Sequence, residues 1–378
     1  MSFITIILTM GLIFTSLIFV RTFAGMPVHL FYKIVGFFII LSAFVAPFTI
    51  RRTTFSSTGL YTIVSDTLYF IFLYALLFGV LMVLRDVIWV IAYRIYTASG
   101  RIAAGWSPLD YGVVMKANLF LAVILVFVCF YALYEGKRVP RVEKLEITSS
   151  KIKEKTTMVV LADLHLHRTL SVNKLKGIVD KVNKLNPDII VLPGDTIDDW
   201  RKNIQEHVSV LKGLKAKKGI YATPGNHEFY IGLEASEKMI KDIGAVYLAD
   251  EGTMVQKDIF IAGILDYNTH VKRAKGQFNL EKALKGSKGK YTVLLSHTPL
   301  SPAIIKEDKI DLQISGHTHG GQVFPAHIIT KYVNGYLSGL YETGEYLLYV
   351  SKGSGQWGPP LRLLAPSEIT FITLNPEK

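Results

Sequence analysis

The chain has 378 residues, of which 50% are hydrophobic and 19% are charged, and its formal net charge is +12. The single cysteine, Cys129, excludes an internal disulfide and a metal cluster built from cysteines. No tract of lysine and arginine with interleaved aromatic residues is present, so a nucleic-acid partner is not expected.

The apolar residues are concentrated before residue 135, where four runs carry no charged residue. These runs cover residues 3–20, 34–50, 67–84 and 117–134. A bilayer core about 30 Å thick requires roughly 20 apolar residues in a helix. The runs therefore predict a bundle of about four transmembrane helices over residues 1–135. The first run lacks the preceding basic segment of a cleaved signal peptide.

Arg85 and Asp86 follow the third run, which either ends there or continues to residue 91. A continuous helix would place two charges near the membrane, where charges are often functional. The alternative is a helix end or a bend at the membrane interface. Basic residues on the two sides of the four spans nearly balance. The lack of a basic residue before the first run favours an extracytoplasmic position for the residues after 135.

From residue 142 onward, short β-rich runs alternate with helical patterns. Eight runs predict strands, at residues 157–162, 188–192, 219–222, 259–265, 291–296, 312–315, 346–351 and 368–374. Residues 172–185 and 233–243 carry apolar side chains at helical spacing. This alternation predicts an α/β domain over residues 151–378, with residues 136–150 as a linker or first strand.

The part after residue 135 carries 34 basic and 26 acidic residues. This mild excess favours an anionic substrate or an anionic lipid surface. A solvated basic surface without a partner accounts for it equally well.

Five polar clusters each follow a predicted strand, where α/β sheets place their functional residues. They are Asp163-x-His165-x-His167, Gly194-Asp195-x-x-Asp198, Gly225-Asn226-His227-Glu228, His297 and Gly316-His317-x-His319-Gly-Gly-Gln322. Carboxylate, amide and imidazole groups are ligands for divalent metals. Each cluster alone is unremarkable, but six of the ten histidines fall in these clusters. Their succession indicates one joint site.

The order D-x-H, G-D-x-x-D, G-N-H-E, a single histidine and G-H-T-H-G-G-Q resembles the calcineurin-like metallophosphoesterase superfamily. The later runs Gly353-Ser-Gly-Gln-Trp-Gly-Pro-Pro-Leu-Arg362 and Pro366-Ser-Glu-Ile-Thr resemble its YkuE/YaeI-like phosphodiesterase branch. The resemblance covers roughly residues 140–375 and does not extend to the membrane region. It implies an αββα sandwich and a site for two divalent metal ions. The oxygen and nitrogen donors of the clusters suit Mn, Fe, Zn or Co.

The resemblance also implies a role for each residue of the clusters. One metal would be held by Asp163, His165, Asp195 and His319, and the other by Asp195, Asn226, His297 and His317. His227 would be the catalytic histidine. Supporting positions around the ligands are expected for His167, Asp198, Glu228 and Gln322. His167 is otherwise a surface residue, and Glu228 is otherwise a carboxylate at a helix N-terminus.

These assignments predict a membrane-anchored hydrolase in which two metals activate a water for in-line attack on phosphorus. His227 would stabilise or protonate the leaving oxygen. The anchor favours a phospholipid or a lipid-linked phosphodiester as substrate, and the loop at Gln356 and Trp357 would either cover the site or form a rigid turn. Alternatives are a tethered phosphomonoesterase, a cell-wall phosphodiesterase, and a membrane sensor with a phosphoesterase-like domain. The sequence chooses neither the metal nor the oligomeric state.

Overall fold

The computed structural model describes residues 30, 33–35, 37–38, 41, 59–99, 111–267, 278–305 and 310–377. The chain divides into two compact units, Met1–Leu133 with Gly358–Pro360 and Tyr134–Trp357 with Leu361–Lys378. The first predicted span, residues 3–20, lies outside the described residues, as does most of the second. The domain boundaries predicted at residues 135 and 150 stay predictions.

Two long apolar helices precede the first strand, α1 (Gly59–Ala98) and α2 (Tyr111–Lys137). Within them, Ile63–Ala98 and Met115–Lys137 are long and apolar enough to cross a membrane. They contain the third and fourth predicted spans. The described residues thus show two candidate membrane helices rather than the predicted four.

The charges of Arg85 and Asp86 lie inside α1, which continues through them. The alternative of a helix end at this point is therefore wrong. The Arg85 guanidinium donates to the Asp86 carboxylate at 2.6 and 3.0 Å, and also to the side-chain oxygen of Asn118 in α2. Pairing of this kind lowers the cost of placing charges in apolar surroundings.

The C-terminal unit contains two six-stranded sheets. The first has the spatial order β1 (Arg141–Ser149), β12 (Glu368–Pro376), β2 (Thr156–Val160), β3 (Ile189–Pro193), β4 (Ile220–Thr223) and β5 (Ala245–Tyr247). The second has the order β10 (Gly339–Glu342), β11 (Leu347–Val350), β9 (Leu312–Ser315), β8 (Tyr291–Leu295), β7 (Ile259–Gly263) and β6 (Glu251–Gln256). Strands β2 to β5 are parallel to one another, as are β7, β8, β9 and β11.

The described helices of this unit are short. They are α3 (Val172–Leu185), α4 (Arg201–Leu211), α5 (Asn226–Ile231), α6 (Leu233–Asp242), α7 (Leu280–Ala283) and α8 (Ala326–Asn334), with a 3₁₀ turn at His319–Gly321. Helix α3 begins at an N-cap, where the Ser171 side chain accepts the amide of Lys174. It ends at Asn186 in the left-handed conformation, which is a common helix stop.

The core lies in three apolar layers. Residues of both sheets, such as Val191 and Ile314, pack between the sheets. The outer face of the first sheet packs against α3, α4 and α6, and that of the second sheet against α7 and loops. Parallel strands buried on both faces are apolar throughout, as β3 is. This α/β sandwich confirms the fold class predicted for the C-terminal part.

The strand directions explain where the site lies. Each of the eight predicted strand segments is a strand in the structure, and the five polar clusters follow β2, β3, β4, β8 and β9. Within each sheet these strands are parallel, so their carboxyl ends lie at one edge. The loops that carry the clusters therefore start from the same edge of each sheet.

Ile314 tests the packing between the sheets, because its side chain is fully buried there. Ile314→Ala should destabilise the C-terminal unit by about 2–5 kcal/mol through lost burial and a residual cavity. Denaturant unfolding of the purified full chain in detergent measures this change. The matched control is Leu340→Ala on the edge strand β10, where the side chain is exposed. Equal destabilisation by both variants would contradict the assigned core.

Candidate metal centre

The backbone around the site is strained. Asp163, His165, Asp195, His317 and His319 all have positive φ, between 47° and 69°. A residue other than glycine pays roughly 1–3 kcal/mol for such a conformation. Five such residues follow buried strands. They indicate that the placement of these side chains is maintained at a cost in conformational stability.

The first group of potential ligands consists of Asp163, His165 and His319, all buried. The Nε2 atoms of His165 and His319 are 3.0 Å apart, and Nε2 of His319 is 3.5 Å from Oδ1 of Asp163. Two ligand atoms that are each about 2.1 Å from one ion, at right angles, are about 3 Å apart. These three side chains could therefore hold a metal ion.

The second group consists of Asn226, His297 and His317. Oδ1 of Asn226 lies 3.2 Å from Nε2 of His297 and 3.0 Å from Nδ1 of His317. The two imidazole nitrogens are 3.3 Å apart. This spacing again matches ligands that converge on one ion.

Asp195 lies between the two groups. Its Oδ2 is 3.6 Å from Nε2 of His165 in the first group and 3.2 Å from Nε2 of His297 in the second. Its Oδ1 accepts the amide N–H of His227 at 2.9 Å. The structure thus brings all seven predicted ligand residues together around one carboxylate.

Burial and neighbouring charges set the protonation of these groups. Burial lowers the pKa of His317 to about 4, with a further contribution from His297, and it lowers the pKa of His319 well below its ordinary value. Both imidazoles are therefore neutral at pH 7 and present lone pairs, as metal ligands must. Burial opposes the charge on Asp195, but His297 and His227 outweigh it and lower the pKa of this carboxyl.

His227 lies beside the ligands, with its ring edge-on to that of His165 at a centroid distance of 4.7 Å. Its Nδ1 is hydrogen-bonded to Oδ1 of Asp198, whose Oδ2 is 3.4 Å from Nδ1 of His165. Burial opposes ionisation of Asp198, but the bonds to His165 and His227 lower the pKa of its carboxyl. An ionised Asp198 thus orients one potential ligand and the predicted catalytic histidine.

Glu228 does more than its expected role at a helix N-terminus. It is fully buried and accepts the amide of Gly225 at 2.7 Å, as an N-terminal carboxylate would. Its oxygens also accept the amides of Asp195 at 3.0 Å and of Thr196 and Ile197 at 2.8 Å. One side chain therefore ties the Asp195 loop to the Asn226 loop.

The remaining two predicted supporting residues differ in their surroundings. Nδ1 of the His167 ring is hydrogen-bonded to the Thr169 hydroxyl at 2.7 Å, and His167 belongs to neither group of potential ligands. The side chain of Gln322 pairs with the backbone of Trp357, at 2.8 and 3.0 Å. It thereby fixes the Trp357 loop.

Arg362 is a residue of the site that the sequence reasoning missed. Its side chain is fully buried and donates to the carbonyl oxygens of Lys352, Gly355, His319 and Ala365, at 2.7 to 3.3 Å. Burial lowers the pKa of Arg362 to about 10, which leaves it charged at pH 7. It therefore stabilises the loops around His319. In the sequence, Arg362 stands out only as the last residue of a Gly- and Pro-rich run.

Comparison with known proteins gives one consistent family. A profile described as calcineurin-like phosphoesterase matches residues 156–321. A metallophosphoesterase of Campylobacter jejuni is 31% identical over 366 residues, which cover 92% of this chain and 91% of that protein. The metallophosphoesterase YkuE of Bacillus subtilis is 32% identical over 237 residues, covering 58% and 78% of the two chains. A transmembrane protein with metallophosphoesterase domain from Danio rerio is 32% identical over 275 residues, covering 69% and 63%.

The chain therefore belongs to the calcineurin-like metallophosphoesterases, and the resemblance inferred from the five clusters is confirmed. Membership in this family, together with the clustered Asp and His residues, identifies a metal-dependent phosphoester hydrolase. The candidate membrane helices and the transmembrane relative together indicate association with a membrane.

Arg362→Met tests whether this buried cation holds the loops of the centre. The variant leaves four buried carbonyl groups without this donor, so we expect destabilisation by several kcal/mol and a lower metal content after purification. Denaturant unfolding and elemental analysis measure the two effects. Arg141→Met, at a side chain that is 70% exposed, is the matched control. A variant as stable and as metal-loaded as this control would show that Arg362 is dispensable.

Proposed function

We propose that the chain is a membrane-anchored dinuclear phosphodiesterase that hydrolyses a phosphodiester in a lipid or lipid-linked head group. The observation that carries the dinuclear assignment is the position of Asp195 Oδ2, within 3.6 Å of a potential ligand atom in each group. One carboxylate oxygen placed between two groups of oxygen and nitrogen donors is suited to bridge two cations.

The ligands divide between two sites in this proposal. One ion would be held by Asp163, His165, Asp195 and His319, and the other by Asp195, Asn226, His297 and His317. The donors are oxygen and nitrogen, which suit Mn, Fe, Zn or Co. When bound, two such ions supply a nucleophile from water and neutralise charge on the phosphoryl oxygens.

His227 acts on the leaving group in this proposal. Its Nδ1 is fixed by the ionised Asp198, so the other ring nitrogen, Nε2, is the atom that would carry a proton toward the substrate. That nitrogen is 3.8 Å from Oδ2 of Asp195 and therefore lies at the edge of the ligand groups. A carboxylate on Nδ1 stabilises the protonated ring, as general acid catalysis requires.

The lipid substrate is inferred from membrane association. Two candidate spans keep the catalytic unit near a surface where phosphodiester head groups are concentrated. We place the catalytic unit on the extracytoplasmic side of a multi-pass anchor, a placement compatible with the near balance of basic residues on the two sides of the predicted spans. The excess of basic over acidic residues after residue 135 favours an anionic substrate.

Hydrolysis assays test the reaction class with the purified full chain in detergent. We expect metal-dependent cleavage of bis-p-nitrophenyl phosphate, and slower cleavage of p-nitrophenyl phosphate. Asp195→Asn should lower kcat/KM at least about 100-fold, because a bridging charge is lost. Asp180→Asn, on the exposed face of α3, is the matched control and should retain activity.

Two outcomes would overturn this function. Faster cleavage of the monoester would indicate a tethered phosphomonoesterase. Failure to hydrolyse either ester with Mn, Fe, Zn or Co would favour a membrane sensor. If the small diester is cleaved but phosphatidylglycerol in mixed micelles is not, the diesterase stands and the lipid substrate is wrong.

His227→Gln tests the assigned acid. If His227 protonates the leaving oxygen, its loss should lower kcat by about 10²–10⁴ for a poor leaving group. The effect should be much smaller for p-nitrophenolate, which departs readily without a proton. Rates with bis-phenyl and bis-p-nitrophenyl phosphate, at equal metal content, measure this difference. An equal loss with both esters would assign His227 to binding rather than to proton transfer.

A further inference from the structure

Helix α8 exposes an apolar face to its surroundings. Ile328, Ile329, Tyr332 and Val333 are 62–89% exposed, and the helix has no buried residue. At 100° per residue these four side chains lie within about 140° around the helix axis. A soluble helix normally turns such a stripe toward a core. An exposed stripe of this kind marks a surface that binds an apolar partner.

Two more exposed apolar side chains lie on segments bonded to the chain that enters α8. Trp357 is held by the side chain of Gln322, and Leu364 follows Leu363, which pairs with Val323. Leu364 also has a φ of 60°, which is unfavourable for a residue other than glycine. In water, this exposed leucine buries no apolar surface that would offset the strain of its backbone.

This apolar surface begins close to the metal centre. The 3₁₀ turn His319–Gly321 ends four residues before the helix, and a Cβ at Gly321 would overlap the backbone of His327. The start of α8 is thus packed directly against the turn that begins with a predicted ligand. A partner bound to α8 would therefore lie near the turn that carries His319.

The composition of the surface identifies the partner as a lipid bilayer. Tyrosine and tryptophan prefer the boundary between head groups and acyl chains, and the exposed Lys331 suits anionic head groups. Only three residues separate α2 from β1, which limits the tether to about 10 Å. A tether of this length keeps the unit beside any bilayer that α2 spans.

We propose that α8, with Trp357 and Leu364, inserts into the head-group region of the bilayer that anchors the chain. Insertion would place the turn that carries His319, a predicted ligand, close to the lipid head groups. The assignment of lipid head groups as substrate rests on the proposed function. The contact between α8 and lipid does not depend on it.

The test uses the full chain in nanodiscs of phosphatidylcholine and phosphatidylglycerol. Because Cys129 is the single cysteine, Cys129→Ala gives a background for labelling Ile329→Cys with an environment-sensitive fluorophore. We expect a lipid with a doxyl group near the head group to quench this label at least about threefold more than iodide in solution does. The matched control is Val246→Cys on β5, an exposed apolar position of the same unit, for which iodide should dominate.

Two results would overturn the proposal. If iodide quenches the label at residue 329 as strongly as at residue 246, α8 faces water. If neither quencher reaches residue 329, the face is covered by protein, either residues 1–58 or a second copy of the chain. The readout involves no hydrolysis, so lipid quenching without cleavage of lipid diesters would leave the contact standing and reject only the lipid substrate.

Discussion

The carboxylate of Asp195 must stay ionised and fixed although its side chain is buried. A buried carboxylate is costly unless hydrogen bonds and opposite charges surround it. Asp195 has both, because His227 donates its amide to one oxygen and His297 faces the other. The lowered pKa of Asp195 shows that these neighbours outweigh burial. The rest of the centre is arranged around this requirement.

Two buried polar side chains hold the loops in place. Glu228 accepts four backbone amides, and Arg362 donates to four backbone carbonyls. Both interact mainly with backbone, so they constrain the path of the chain. Hydrogen bonds of charged groups in a low-dielectric interior are strong. They offset the strain of the left-handed residues that carry the ligands.

The parts of the structure that depend on residues close together in the chain could be predicted from the sequence. Central parallel strands are apolar on both faces, so β3 stands out as a continuous run. The ligands follow strands at short spacing, and the metal requires particular side chains there. The edge strands β5 and β10 lack such a run. Strand β5 has only three residues, and no residue of β10 is fully buried.

The supporting contacts could not be predicted in the same way. Arg362 and Glu228 bond to backbone groups, which every residue has, so no pattern of side chains marks their partners. The continuous course of α1 through Arg85 and Asp86 depends on a partner, Asn118, that lies 33 residues away. Helix α8 has a helical pattern of apolar residues, but the pattern cannot tell whether a core or another partner covers the face.

The pairing of β1 has a consequence for biosynthesis. Its neighbour β12 is the last of the twelve strands in the described part of the chain and lies between β1 and β2. About 200 residues must be translated between them, which takes roughly 10–40 s at the rate of a ribosome. During that time β1 has no parallel partner and could pair with a foreign chain. Its exposed charges, Arg141, Glu143, Lys144 and Glu146, oppose such mispairing until β12 emerges.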